Sequence, residues 1–229
     1  MSQILVAHKI EKSFPRAGST VEVLQQCDFA LNAGETVAVM GASGSGKSTL
    51  LNILGGLETP TSGTVTTQLG ELDFSNNQMM TNWRSQGVGF VFQFHFLLPD
   101  FTALENLLIP VRSTGSNSPA EQARALDLLA QMGLADRAHH LPGEMSGGEQ
   151  QRVALARAFM NRPDIVLADE PFGNLDRKIG SRLGDLLFSL SESEGTSLVI
   201  VTHDPKLAER ADRSLTLQGK NLIPTESVS

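Results

Sequence analysis

The chain has 229 residues, 40% of them hydrophobic, and a formal net charge of −7. A chain of this size buries roughly 70% of its unfolded surface, so a substantial core needs no disulfide support. The single cysteine, Cys27, excludes an internal disulfide framework and is expected as a small apolar filler. The acidic balance argues against nucleic acid as a partner, since no overall positive field draws the chain to phosphate backbones. No window reaches the ~20 apolar residues a spanning helix needs, and the N-terminal MSQILVAHKIEKSF lacks the apolar stretch of a signal peptide. A soluble cytoplasmic chain is expected, in which any membrane work falls to another protein.

In chain order, two strands are predicted in ILVAHKI and VEVLQQCDFAL, broken by the turn-rich PRAGST at 15–20. TVAVM at 36–40 is predicted as a buried strand feeding a glycine loop and the helix KSTLLNILGG, which Gly55 and Gly56 can stop. PTSG at 60–63 is a turn, followed by the β-branched TVTT, and GVGFVFQ at 87–93 is a further strand. Thr102 with Glu105 and Ser118 with Glu121 have capping-box spacing, the second with Pro119 at the first helical position. The helix from Pro119 is expected to end at Gly133. Strands return at DIVLAD (164–169) and SLVIVTH (197–203), separated by the helical GSRLGDLLFSLSES. Nearly continuous apolar strands alternating with helices indicate an α/β fold with a mostly parallel sheet covered on both faces. One domain, 1–229, is expected, with a helical subdomain at about 94–160 inserted in the core and a small β region near the N-terminus.

The loop Gly41-Ala42-Ser43-Gly44-Ser45-Gly46-Lys47-Ser48 matches the phosphate-loop pattern and stands directly after a strand and before a helix. Glycines let backbone N–H groups turn inward on phosphate, and the helix N-terminus adds partial positive charge. Lys47 is expected on the β- and γ-phosphates of a nucleotide, Ser48 on magnesium, and Thr49 on a nearby phosphate oxygen. Further on, IVLADEP at 165–171 reads as a buried strand delivering two carboxylates at its C-terminal end, where α/β proteins build their sites. Asp169 is suited to holding magnesium through water. Glu170 is suited to taking a proton from the water that attacks the γ-phosphate.

A second glycine-rich helix start, MSGGEQQRVALARA at 145–158, has no lysine. Ser146 and Glu149 form a capping box, so a well-capped helix accounts for them locally. The same N-terminus, with Gly147 and Gly148 bare of side chains, is also an anion site. The run resembles the signature motif of the ATP-binding-cassette (ABC) ATPases, and the resemblance extends from Phe14 to His203 with the motifs in order. It implies a P-loop NTPase core of RecA type, with an antiparallel β region and the helical subdomain. It also implies ATP and Mg2+ as ligands, and a head-to-tail pair of copies in which Ser146, Gly147 and Gly148 close over the partner's ATP. On the same basis Phe14 stacks on adenine, Gln93 touches magnesium and links the site to the helical subdomain, and Asn174-Leu175-Asp176 contacts the partner's site. His203 bonds the γ-phosphate. Three positions depart from the common pattern: Met145 for leucine, Glu149 for glutamine and Phe172 for threonine.

Within the family, FQFHFLLPDFTALENL at 92–107 is similar to the same segment of the lipoprotein-releasing ATPases of Gram-negative bacteria. The macrolide-exporter-like ATPases share SGGEQQRVA and DEPxGNLD, and the DNA-repair and translation members of the family are a more distant alternative. The resemblance implies a peripheral ATPase on the cytoplasmic face of the inner membrane, powering separate membrane subunits. Phe94, Phe96, Leu97, Leu98 and Phe101 are either subdomain core or a surface that holds an amphipathic helix of such a subunit. His8, His95, His139 and His140 have no metal-ligand spacing and, with Met79, Met80 and Trp83, are expected to be structural or surface residues.

Overall fold

The computed structural model describes residues 2–16, 18–112, 115 and 118–225. Its contacts divide into two compact units. One takes the chain as far as Arg84, then Leu167–Asp169 and the stretch from Ser197 onward; the other takes Ser85–Val166 and Glu170–Thr196.

In the first unit β1 (Gln3–Arg16) and β2 (Ser19–Asn32) form a long antiparallel hairpin that pairs Pro15 with Thr20 and Arg16 with Ser19. The turn expected over 15–20 is therefore narrower, with Ala17 outside the described residues. Pro15 is tolerated because β1 pairs its other neighbour, β4 (Ser62–Thr67), only as far as Glu11. With β5 (Gly70–Glu71) these strands form an antiparallel sheet in the order β2-β1-β4-β5. A second sheet sets β3 (Thr36–Met40) between β8 (Ser197–Val201) and β9 (Arg213–Gln218), parallel to both. On the far side of β8 lies the end of β7 (Ile165–Asp169). The inner residues Val37–Val39 and Leu198–Val201 are at most 1% exposed, as a sheet covered on both faces requires.

Neither β5 nor β9 was foreseen in the sequence, and two further pieces of this unit escaped it as well. β10 (Asn221–Pro224) returns antiparallel on β9 through Gly219 and Lys220, both at positive φ, the geometry of a tight hairpin turn. The other piece supports the helix α1 (Lys47–Leu54). After α2 (Asn77–Asn82), the buried Trp83 donates its indole N–H to the Leu54 carbonyl at 3.1 Å, and Arg84 donates to the Gly56 carbonyl. The last carbonyls of a helix have no partner within it, so these side chains finish α1. Met80 is buried beside them and Met79 is half-buried, in keeping with packing roles. The short helix α7 (Pro205–Ala208) starts on Asp204.

The second unit carries β6 (Val88–Val91) next to the start of β7 and, among the described residues, four α-helices: α3 (Ala103–Arg112), α4 (Pro119–Gln131), α5 (Gly147–Ala158) and α6 (Arg177–Glu194). The expected capping boxes form in both directions at Thr102 and Ser146, and at Ser118 the Glu121 carboxylate accepts from the Ser118 N–H while the serine side chain makes no cap hydrogen bond. Gly133 follows α4 in the left-handed region, as expected of a C-cap glycine. Leu107, Leu128, Leu129, Val153, Leu155 and Phe159 fill the core with no exposure. Phe172, in the position where threonine is commoner, lies against Gly180 of α6, where an added Cβ would come 3.3 Å from the Phe172 Cβ; threonine carries the same Cβ, and nothing in the structure explains the phenylalanine ring.

Replacing Trp83 by Phe keeps the ring but leaves the buried Leu54 carbonyl unpaired, a loss of about 1–3 kcal/mol. Urea unfolding of Trp83→Phe is expected to show a lower midpoint with an unchanged slope.

Candidate functional site

In the first unit, β3 delivers the loop 41–46 directly to the start of α1. The loop's path demands glycine at two points. Gly41 passes so close to β9 that a Cβ would lie 2.7 Å from the Leu217 carbonyl oxygen, and Gly46 has φ of 107° with Val23 2.7 Å from where a Cβ would sit. Gly46 is also the N-cap of α1, with no side-chain hydrogen bond and no acidic residue in the first turn. That helix start presents bare N–H groups and partial positive charge. Lys47, 6% exposed, folds its ammonium back on the loop and donates to the carbonyls of Gly41 (2.9 Å) and Ala42 (3.0 Å). The buried Ser45 hydroxyl has no hydrogen-bond partner. An uncapped helix start, a sheltered cation and an orphaned hydroxyl on one loop fit a polyanion such as a nucleotide triphosphate.

The same unit places Asp169 at the end of β7 and His203, exposed, just beyond β8. The Thr202 N–H donates to the Val39 carbonyl, which ties the His203 segment to the end of the strand that feeds the loop. Phe14 is half-buried on β1, with the Lys12 ammonium 4.8 Å from its ring centroid. Lys12 is held there by Glu58 and the Thr59 carbonyl. One face of the ring is thus covered by a cation.

The second unit gathers Glu170, Gln93, Asn174 and the glycine-rich start of α5. Glu170 has φ of 44°, a left-handed conformation unusual outside glycine and a marker of stored backbone strain. Gln93 donates from Nε2 to Asn174 Oδ1 at 2.9 Å, so two of the expected site residues touch directly. Gln151 was not singled out from the sequence. It is 1% exposed and donates to the carbonyls of Pro171 (2.6 Å) and Phe92 (3.4 Å), the neighbours of Glu170 and Gln93. A polar residue at the helix phase of the buried Leu155 and Ala158 is the signal that could have exposed it. Ser146 accepts from the Glu149 N–H, and Glu149 in return accepts from the Ser146 N–H and hydroxyl at 2.8 Å. Met145 is buried, so its substitution for leucine is a matter of apolar volume. Ser146, Gly147 and Gly148 line one wall of a cleft of about 520 Å³ whose other wall is Asn174, Asp176 and the Ile179 face of α6.

The apolar run from Phe94 is not core. Phe94 and Phe96 are 62% and 63% exposed and Leu98 and Phe101 stand out beside them, while Leu97 is half-buried. Phe90 stacks on Phe92, Phe92 meets Phe96 edge-on at 5.4 Å, and Phe96 meets Phe94 at 6.3 Å. Burial of the His95 ring pushes its pKa down, against a hydrogen bond to the Gly147 backbone.

This fold, with a phosphate loop after a buried strand and a second glycine-rich helix start, defines a transporter ATPase cassette. The chain belongs to the ABC transporter family, whose model matches residues 24–173. It is 48% identical over 225 residues to the lipoprotein-releasing system ATP-binding protein LolD of Legionella pneumophila (strain Paris), covering 97% of this chain and 98% of that one. It is 47% identical over 210 residues to LolD of Idiomarina loihiensis, covering 92% of each. Among solved structures it superimposes on the ATP-binding cassette MJ0796 in a dimeric post-hydrolysis state bound to ADP and Pi, with a TM-score of 0.89, 37% identity and 99% of each chain covered.

Glu149 also gives the α5 start a pH signature. The Ser146 amide, the Ser146 hydroxyl and the Arg137 guanidinium, in that order, hold its carboxyl down from 4.5 to about 2. Because the folded pKa is depressed, this stabilisation is complete above about pH 4.5 and is lost as pH falls toward 2. Glu149→Gln keeps the cap geometry but removes the charge. It is expected to cost about 0.5–1 kcal/mol at neutral pH, since the group lies near solvent, and to flatten the loss of stability across that acid window. Thermal unfolding of both proteins from pH 6 to pH 2 checks this.

Proposed function

We propose that this chain binds and hydrolyses ATP to power separate inner-membrane subunits that release lipoproteins from the membrane. The phosphate loop carries the hydrolytic reading: an uncapped α1 start with Lys47 sheltered against it is an arrangement suited to a triphosphate. Likeness to LolD over nearly the whole chain supports the transport task. Among the described residues no helix is long and apolar enough to cross a membrane, which agrees with a peripheral subunit held by membrane partners.

In this reading the backbone of residues 41–46 and Lys47 bind the β- and γ-phosphates, Thr49 takes a nearby phosphate oxygen, and Phe14 stacks on adenine with the face away from Lys12. Ser48, Gln93 and Asp169 would hold Mg2+, which supplies positive charge to the phosphates when bound. Glu170 takes the proton of the water that attacks the γ-phosphate, ADP leaves on the opposite side, and His203 bonds the γ-phosphate and orients that water. Two copies pack head to tail, so that Ser146, Gly147 and Gly148 of one cover ATP held by the other. The dimeric MJ0796 structures support pairing of two copies. The exposed aromatic turn from Phe94 to Phe101 takes a short cytoplasmic helix of a membrane subunit.

Glu170→Gln is expected to bind Mg-ATP while losing about 10²–10⁴ of turnover, because it removes a base and no phosphate contact. Near wild-type hydrolysis by this variant rejects the assigned base. Lys47→Ala is expected to weaken ATP binding itself by about 10–100-fold, read by nucleotide titration. ATP should drive Glu170→Gln into dimers in sedimentation, and a protein that stays monomeric at saturating ATP with its membrane subunits present contradicts the two-copy site. Phe96→Asp should keep ATP binding and lose the membrane subunits on purification. Normal lipoprotein sorting in cells depleted of the protein rejects the transport task.

A further inference from the structure

The turn that bears the exposed aromatics is tied to the last turn of α5 and faces its first turn. Arg157, ten residues along the helix from Gly147, sends its guanidinium fork to two consecutive carbonyls: Nη2 to His95 and Nη1 to Phe96, both at 2.8 Å. A long helical side chain leans toward the helix N-terminus, so Arg157 runs back along α5 toward the glycine-rich start. From the other direction the half-buried His95 ring faces the backbone of Gly147, one of the two glycines of that start, which acts to raise its pKa against the effect of burial. Between them the turn adopts a conformation it would not hold by itself. Phe96 has φ of 44°, a left-handed geometry that costs an aromatic residue roughly 1–2 kcal/mol.

Two carbonyls pointing at one cation are an arrangement that a left-handed residue makes available and a charged fork stabilises. Strain held in this way persists only where the surroundings over-determine it. Among the described residues the strained one is also the most exposed of the large apolar side chains.

We propose that Arg157 is a positioning residue that locks the aromatic turn to α5, with His95 facing Gly147, so that a membrane-subunit helix docked on Phe94 and Phe96 moves the Ser146-Gly147-Gly148 start as one body with it. The inference rests on the docking and two-copy readings above, and it adds the physical link between them. A helix is stiff, and α5 spans roughly 15 Å from Gly147 to Arg157 at 1.5 Å per residue. A partner seated on the turn then acts on the glycine-rich start without a chain of loose side-chain contacts. Neither residue touches nucleotide in this scheme, and neither is part of the phosphate loop.

The test uses the full chain with the membrane subunits that copurify with it, and compares wild type, Arg157→Met, Arg157→Lys, His95→Phe and the docking control Phe96→Asp. Isolated Arg157→Met is expected to keep its KM for ATP and its basal turnover. Its amides at 94–98 should exchange with solvent about tenfold faster, since about 1.4 kcal/mol of local restraint is lost. Stimulation of its turnover by the membrane subunits should fall severalfold at concentrations where assembly is complete. Arg157→Lys, with a single point donor in place of the fork, should recover part of that stimulation. Wild-type exchange and wild-type stimulation in Arg157→Met overturn the proposal. If Arg157→Met fails to fold by circular dichroism, His95→Phe decides: reduced stimulation with unchanged KM supports the link, and full stimulation overturns it. The control separates the two levels. If Phe96→Asp assembles and is stimulated normally, the docking reading itself fails. If Phe96→Asp loses assembly while Arg157→Met and His95→Phe are fully stimulated, docking stands and the lock alone is rejected.

Discussion

The first unit is organised around one helix N-terminus that has been left without a cap. Every other α-helix among the described residues starts on a residue whose side chain can close its orphan amides: Asn76, Thr102, Ser118, Ser146, Asp176 and Asp204. α1 starts on Gly46. A glycine start gives up only about 0.3 kcal/mol relative to a good cap, and it leaves bare amides to which an anion can come. Much of the surrounding structure serves that exception. Parallel strands bring the loop to the helix, Gly41 and Gly46 let it turn against β9 and Val23, and Trp83 closes the far end of α1.

The second unit is organised around α5. Its first turn carries the capping box and the two bare glycines, its middle carries Gln151, and its last turn carries Arg157. Gln151 donates to the carbonyls on either side of the motifs assigned to magnesium and to the base, and Arg157 donates to the turn that follows. One buried helix thus fixes the backbone at 92–96 and at 171. The direct bond from Gln93 to Asn174 adds a contact between the two segments so held. Gln151 Oε1 is buried without a partner, an uncompensated acceptor in the middle of this arrangement.

Of the six left-handed non-glycine residues among those described, Lys9, Gln26, Arg162 and Lys220 lie away from the assigned site and two lie within it. Glu170 and Phe96 both have left-handed backbones, and Phe94 and Phe96 put large apolar area into solvent. Neither feature stabilises the folded chain. Left-handed non-glycine residues are retained where their neighbours hold them and a task uses the geometry. Exposed contiguous aromatics are the common mark of a surface that is covered in an assembly.

What the amino-acid sequence determined by itself is what depends on neighbours within a few residues. The three helix starts with capping-box spacing, the glycine loop between a strand and a helix, the buried strands at 36–40, 165–169 and 197–201, and the stop at Gly133 were all legible. The reason is that backbone geometry and hydrogen bonding at helix ends are local. The order of the motifs was legible too, and carried the family. The tertiary structure alone decided which apolar residues are covered. Phe94 and Phe96 are exposed while Phe159, of the same kind, is fully buried. It alone set Arg157 on carbonyls 61 and 62 residues away and Gln151 on one 20 residues away. It alone set Trp83 on the end of α1 and placed β3 between β8 and β9. Burial and long-range hydrogen bonds belong to pairs of segments brought together by folding, and no short window of sequence contains both members of such a pair.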